Sequence, residues 1–165
     1  MTVLCPLQHK EKGIKFFNAK DNKEAAFRFT KALKIVLSIP IDVEGTSSIV
    51  DGVSLIDINK LKGNLFNNLS SCYFRNQYWA MVINLCTKVL QFDRDNVKAL
   101  YKIGVAYEND RNFEEAKAAF CRVLKLEPQN KACAEHLACV KSELKKADIK
   151  VNNMVKKMFS TAIEN

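Results

Sequence analysis

The stretch VKALYKIGVAYENDRNFEEAKAAFCRVLKLEPQN, residues 97–130, decides the fold. Leu100, Ile103, Gly104 and Tyr107 recur at the three-to-four-residue spacing of one helix face. Ala116, Phe120 and Val123 do the same on a second helix, which Pro128 closes. Gly104 and Ala116 are small enough for two antiparallel helices to approach closely, and the bulky residues around them fill the space between. Asn112 with Glu115 reads as a capping box at the start of the second helix.

The same pattern lies one 34-residue step earlier, in phase from Gly63: Phe66, Leu69, Ser70, Tyr73, Val82, Cys86 and Val89, with Asn76-Gln77 at the turn. Only Arg94 departs, standing where the later copy has Pro128. A third copy starts at Pro6, with Gly13, Phe16, Ala25, Phe29 and Ala32 in register. Self-similarity at this period is the signature of a helical solenoid, and these residues resemble the tetratricopeptide-repeat consensus. The expected fold is all-α: three tetratricopeptide repeats, each an antiparallel helix pair, in a right-handed superhelix with a C-terminal capping helix. The expected spans are about 6–38, 60–95 and 96–129 for the repeats and about 130–160 for the cap, within one domain. An insert of 23 residues, about 39–59, separates the first two copies. It carries turn chemistry at Pro40, Gly45-Thr46-Ser47-Ser48 and Asp51-Gly52. Ile49, Val50, Val53, Leu55 and Ile56 suggest that part of it packs as an N-terminal extension of the next helix.

The cap reads from Ala134, Leu137, Val140, Leu144 and Ala147. Beyond Asp148 it becomes a basic amphipathic segment, with Lys150, Lys156 and Lys157 among Val151, Met154, Val155, Met158 and Phe159. Such segments can be calmodulin targets, but an extended cap with a solvated lysine face is the simpler reading, and calmodulin is not expected as a partner.

Composition narrows the function classes. Hydrophobic residues make up 48% of 165 and charged residues 27%, the balance of a folded globular chain. No apolar run approaches the ~20 residues of a membrane span, and the first residues, MTVLCPLQHKEK, lack the apolar core of a signal peptide. The six cysteines, Cys5, Cys72, Cys86, Cys121, Cys133 and Cys139, form no C-x-x-C pair and fall in apolar helical stretches. They read as buried thiols of a cytoplasmic protein. Cys133 and His136 share a helix face, but two ligands do not make a zinc site, and no cofactor is expected. No Gly-rich phosphate loop, paired acid and base or His-activated nucleophile is present, so no catalysis is expected. The net charge is +8, which calls for acidic partners. Lysines scattered over repeat helices without interleaved exposed aromatics argue against nucleic acid.

In a stack of helix pairs the first helices line a concave face, and positions 2, 5, 6 and 9 of each share one side. Lys10, Asn68, Lys98 and Lys102 fall at those positions, a site suited to carboxylates. The segments KEKGIKFF, LFNNLSSCY and NVKALYKIGVAY, together with the insert, resemble the repeat domains of the large FK506-binding immunophilins. The aryl-hydrocarbon-receptor-interacting protein and the tetratricopeptide-repeat protein 9 group look similar too. The resemblance implies a co-chaperone adaptor that grips the acidic Met-Glu-Glu-Val-Asp tail of heat-shock protein 90, or the tail of heat-shock protein 70, through a carboxylate clamp. Carried over by position, Lys10, Asn68, Lys98 and Lys102 match that clamp. Ile14 stands where it has Asn, and so removes a hydrogen-bond donor. A scaffold of this fold that binds a kinase or client protein instead is the alternative reading. In either case a peptidyl-prolyl isomerase domain could precede the repeats in a longer protein.

Overall fold

A computed structural model describes residues 4–38, 49–50 and 53–163. Among the described residues seven helices follow one another: α1 (Leu4–Asn18), α2 (Asn22–Leu37), α3 (Leu55–Arg75), α4 (Trp79–Phe92), α5 (Val97–Asn109), α6 (Phe113–Leu126) and α7 (Lys131–Ile163). The pairs α1/α2, α3/α4 and α5/α6 pack internally, each second helix packs on the next pair's first, and α7 closes the row on α6. This is the expected all-α repeat architecture with its capping helix. Pro6 is tolerated in the first turn of α1, where its missing N–H would have no partner anyway, and Pro128 follows the end of α6.

Each pair is set by how near its helices can come. A Cβ added at Gly13 would stand 2.6 Å from the Phe29 ring, and one at Gly104 would stand 2.7 Å from the Phe120 ring. Both phenylalanines are buried, at 1% and 0% exposure. The middle pair solves the same problem from the other side. Ser70 replaces the glycine and the small Cys86 replaces the phenylalanine, both fully buried and hydrogen-bonded to one another.

The turns within pairs share an unusual device. Lys20, Gln77 and Arg111, at the same repeat position, have φ of 65°, 59° and 59°. The following N–H reaches back five residues each time: Asp21 to the Phe16 carbonyl, Tyr78 to Tyr73 and Asn112 to Tyr107. That is the Schellman closure, here without its usual glycine.

Several expectations are corrected. Asn112 sits at the N-cap of α6, but its side chain makes no capping bond, whereas Asp21 caps Glu24 N–H and Asn96 caps Ala99 N–H at 3.0 Å. Its backbone (φ −87°, ψ 73°) nearly matches that of Asp21, so the side-chain rotamer makes the difference. Glu114 and Glu115 instead set negative charge against the positive end of α6. Within the insert, Leu55 and Ile56 do begin α3, and Ile58 is buried. Ile49–Val50 and Val53–Ser54, however, form a two-residue antiparallel ladder, Ile49 opposite Ser54 and Val50 opposite Val53, not helix. The turns read at Pro40, Gly45 to Ser48 and Asp51-Gly52 lie outside the described residues. The thiols are also less uniform than expected: all six are free, but Cys5 and Cys139 are exposed and Cys121 is half-buried, because their helix positions face solvent. Burial pushes the Cys72 thiol up to about 11 and raises Cys86 as well, so both remain thiols at neutral pH.

The close approach gives a direct test. Gly104→Ala forces a methyl into the Phe120 ring and should cost roughly 1–3 kcal/mol, read as a lower denaturant midpoint at unchanged slope. An unchanged midpoint would mean that α5 and α6 are not spaced by this contact.

Candidate functional site

The first helices α1, α3 and α5 carry all the residues read from sequence as a carboxylate site. Lys10 and Ile14 lie one turn apart on α1, Lys10 half-buried and Ile14 39% exposed. Asn68 is half-buried on α3. Lys98 and Lys102 are one turn apart on α5, and their surroundings differ sharply.

Lys98 is exposed and borders two hollows. The smaller, about 280 Å³, is lined by Phe17 of α1, Ser71, Phe74 and Arg75 of α3, and Lys98, Tyr101 and Lys102 of α5. The larger, about 770 Å³, shares Lys98 and Tyr101 and runs past Asn64 and Asn67 to the α4–α5 turn and Ala132 of α7. The two adjoin at Lys98 and Tyr101, and the larger one is also lined by the carboxylates of Asp93, Asp95 and Glu127. Neither includes Lys10, Ile14 or Asn68, so the structure brings Lys98 and Lys102 together and leaves the other three outside these hollows.

Lys102 is buried, at 8% exposure. Its Nζ donates to four oxygens of α3: Asn67 Oδ1 at 2.6 Å, Ser70 Oγ at 2.7 Å, and the Asn67 carbonyl and Ser71 Oγ at 2.9 Å. The two serine hydroxyls pass their own protons to the Asn67 carbonyl and so can accept from the lysine. Three N–H groups facing four acceptors leave none spare for a ligand. Burial brings the Lys102 ammonium down to about 8, with Lys98 pushing the same way. Lys102 therefore fastens α5 to α3 and places its charge beneath the hollow, a role that its spacing alone did not suggest.

Arg75 was missed in the sequence. Its Nη1 donates to the Phe17 carbonyl at 2.7 Å, and its guanidinium lies 3.5 Å from the centre of the Phe17 ring. This bridge joins the first and second repeats at the rim of the smaller hollow. Phe17, Phe74 and Tyr101 supply apolar walls, with Phe74 set edge-on against Trp79. The signal was available: Ser71, Phe74 and Arg75 continue the face of Asn67 by steps of three and four, beyond the positions that the clamp pattern names.

Cys133 and His136 each have a hydrogen-bond partner within the protein. Cys133 Sγ donates to the Phe120 carbonyl at 3.4 Å. His136 Nδ1 meets Glu108 Oε2 at 2.6 Å, and its ring stacks on Phe120. No group of three or more metal-ligating side chains occurs among the described residues, and no described helix is long and apolar enough to cross a membrane.

Known proteins share this fold. Residues 97–130 match the family described as tetratricopeptide repeat. FK506-binding protein 59 of Drosophila melanogaster is 28% identical over 157 residues, which is 95% of this chain and 33% of that protein. The chain thus spans about a third of the length of the curated relatives it matches. The C-terminal TPR-containing domain of a Plasmodium falciparum FK506-binding protein superposes with a TM-score of 0.76 at 29% identity, covering 89% of this chain and 93% of that one. The first TPR of Spaghetti (RPAP3), bound to the HSP90 peptide SRMEEVD, gives 0.67 at 26% identity, covering 87% and 95%. The fold is that of a tetratricopeptide-repeat domain, and its relatives are the repeat regions of FK506-binding proteins and chaperone-associated proteins.

Lys102 makes the site testable without any ligand. The unfolded chain holds this proton up to about 10.5, whereas the native state gives it up near 8. Between those values the unfolded state binds more protons, so the Lys102 contribution to stability rises with pH. The stability difference between wild type and Lys102→Met should therefore move in favour of wild type across that window. A difference independent of pH would show that the ammonium is not buried against α3.

Proposed function

We propose that the concave face of α1, α3 and α5 binds the acidic C-terminal peptide of heat-shock protein 90, or the similar tail of heat-shock protein 70, and that the chain serves as a co-chaperone-type adaptor. The observation that carries this reading is the hollow of Phe17, Phe74 and Tyr101 surrounded by Arg75, Lys98 and Lys102, with no carboxylate in its lining. Three cations over an apolar, partly desolvated floor attract carboxylates more strongly than an open surface does. The similarity to the Spaghetti domain that holds SRMEEVD supports the choice of peptide.

The division of labour departs from a simple clamp. Lys102 has its donors engaged and acts through its field, while Lys98 and the guanidinium of Arg75 make direct contacts with the peptide carboxylates. Lys10 and Asn68 hold the far end of the peptide. Ile14 withholds one donor at that end, at a cost of about 1.5–3 kcal/mol, or roughly ten- to a hundredfold in Kd. That same exposed isoleucine favours a second reading, in which a non-chaperone partner such as a kinase or client protein uses Ile14 as an apolar contact.

Calorimetry with the peptide SRMEEVD tests both. Binding should weaken as salt rises and should also weaken as pH passes about 8, where Lys102 sheds its charge. Lys98→Glu should abolish binding while the far-ultraviolet circular dichroism stays helical. Ile14→Asn should tighten it by about tenfold, the worth of ~1.4 kcal/mol. Unchanged affinity in Lys98→Glu removes the groove reading. No binding by wild type or Ile14→Asn moves the weight to the non-chaperone partner.

A further inference from the structure

Tyr101 and Lys98 are the residues that the two hollows share, and Tyr101 is only half-buried. A ring on a groove wall serves a ligand best when it already stands still, because a side chain that the ligand must first order costs affinity. What holds this ring comes from outside the hollows. Tyr101 stands edge-to-face with the ring of His136 on α7, with centroids 5.7 Å apart and planes at 73°, a favoured aromatic geometry. The Phe120 ring of α6 lies 6.3 Å away.

His136 is itself fixed from two sides. Its Nδ1 meets Glu108 Oε2 of α5 at 2.6 Å, and its ring stacks on Phe120, 5.4 Å between centroids with 15° between planes. Tyr101, His136 and Phe120 thus form a closed triangle of rings, one each from α5, α7 and α6. Phe120 anchors the triangle, since it is fully buried and packed where Gly104 leaves no space for a methyl. The helix that carries His136 also reaches the groove directly: Ala132, one turn earlier on α7, lines the larger hollow. Cys133, Leu137 and Val140 are buried where α7 packs on α6, and His136 carries the contact across to α5.

We propose that α7 is a working part of the groove as well as its cap: through His136 it fixes Tyr101 for an incoming peptide, and a peptide seated against Tyr101 in turn holds α7 docked. This rests on the groove reading above and adds a positioning residue, since His136 lines neither hollow. The coupling runs both ways. Whatever factor docked α7 adds to peptide affinity, bound peptide returns to the docking of α7. A His136 that served the core alone would hold α7 on α6 and leave the peptide indifferent to its loss.

Calorimetry with SRMEEVD on paired variants separates the two roles. His136→Gln suits a helix and can still donate to Glu108, but it removes the ring; it should weaken binding about threefold to tenfold while the circular dichroism stays helical. His136→Phe, which keeps a flat ring beside Tyr101, should stay within about twofold of wild type. In a Tyr101→Leu background His136→Gln should change affinity no further, because the ring that it supports is gone. Saturating SRMEEVD should slow amide hydrogen exchange across residues 131–144 in wild type, and less so in His136→Gln. Equal affinity of wild type and His136→Gln, the same loss with or without Tyr101, His136→Phe as weak as His136→Gln, or exchange in α7 unmoved by peptide would each overturn the proposal and leave groove binding standing. No binding by wild type would overturn both together.

Discussion

Everything in this molecule follows from how closely two helices of a pair may approach at one point. In the outer pairs that point is a glycine under a phenylalanine ring, Gly13 under Phe29 and Gly104 under Phe120, with no space for a methyl between them. The contact fixes the pair spacing, which sets where the next pair docks and hence how α1, α3 and α5 stand beside one another. Close packing is unforgiving of added volume, so the same two residues that make the core also place the groove.

The middle pair breaks the rule, and the site is built on the exception. Because Cys86 is small, position 70 can carry a side chain, and that side chain is a hydroxyl. Ser70 with Asn67 and Ser71 then offers the acceptors that draw the Lys102 ammonium inward across to α3. A buried lysine without such partners would be costly; with them it fastens neighbouring repeats and leaves a positive charge under the hollow. Arg75 performs the matching task between the first and second repeats through the Phe17 carbonyl. Both cations serve the fold and the groove together.

The helix pairs were legible because Gly13, Gly104, Phe29 and Phe120 recur in one register, and the long cap because its apolar spacing continues past Leu144. The turns were less so: Lys20, Gln77 and Arg111 take up φ near 60° without being glycine, and composition gives no hint of it. The ladder of Ile49–Val50 with Val53–Ser54 was read as helix because a short run of branched apolar residues suits either state. In the groove, periodicity places a Cα on a face but does not say where a long side chain ends. Lys98 and Lys102 occupy equivalent positions on one helix side, yet one ammonium faces solvent and the other is enclosed, decided by acceptors on a different helix. Arg75 escaped notice because the reading stopped at the positions of the clamp.

The central claim is that a buried Lys102 ammonium, held by α3, charges a hollow built to receive carboxylates. Side-chain nuclear magnetic resonance of Lys102, titrated with and without SRMEEVD, tests it most directly. The account predicts a midpoint of about 8 in the free protein, well below the ordinary lysine value of 10.5, moving upward when the peptide brings its carboxylates near. A midpoint at the ordinary value, unmoved by saturating peptide, would contradict it.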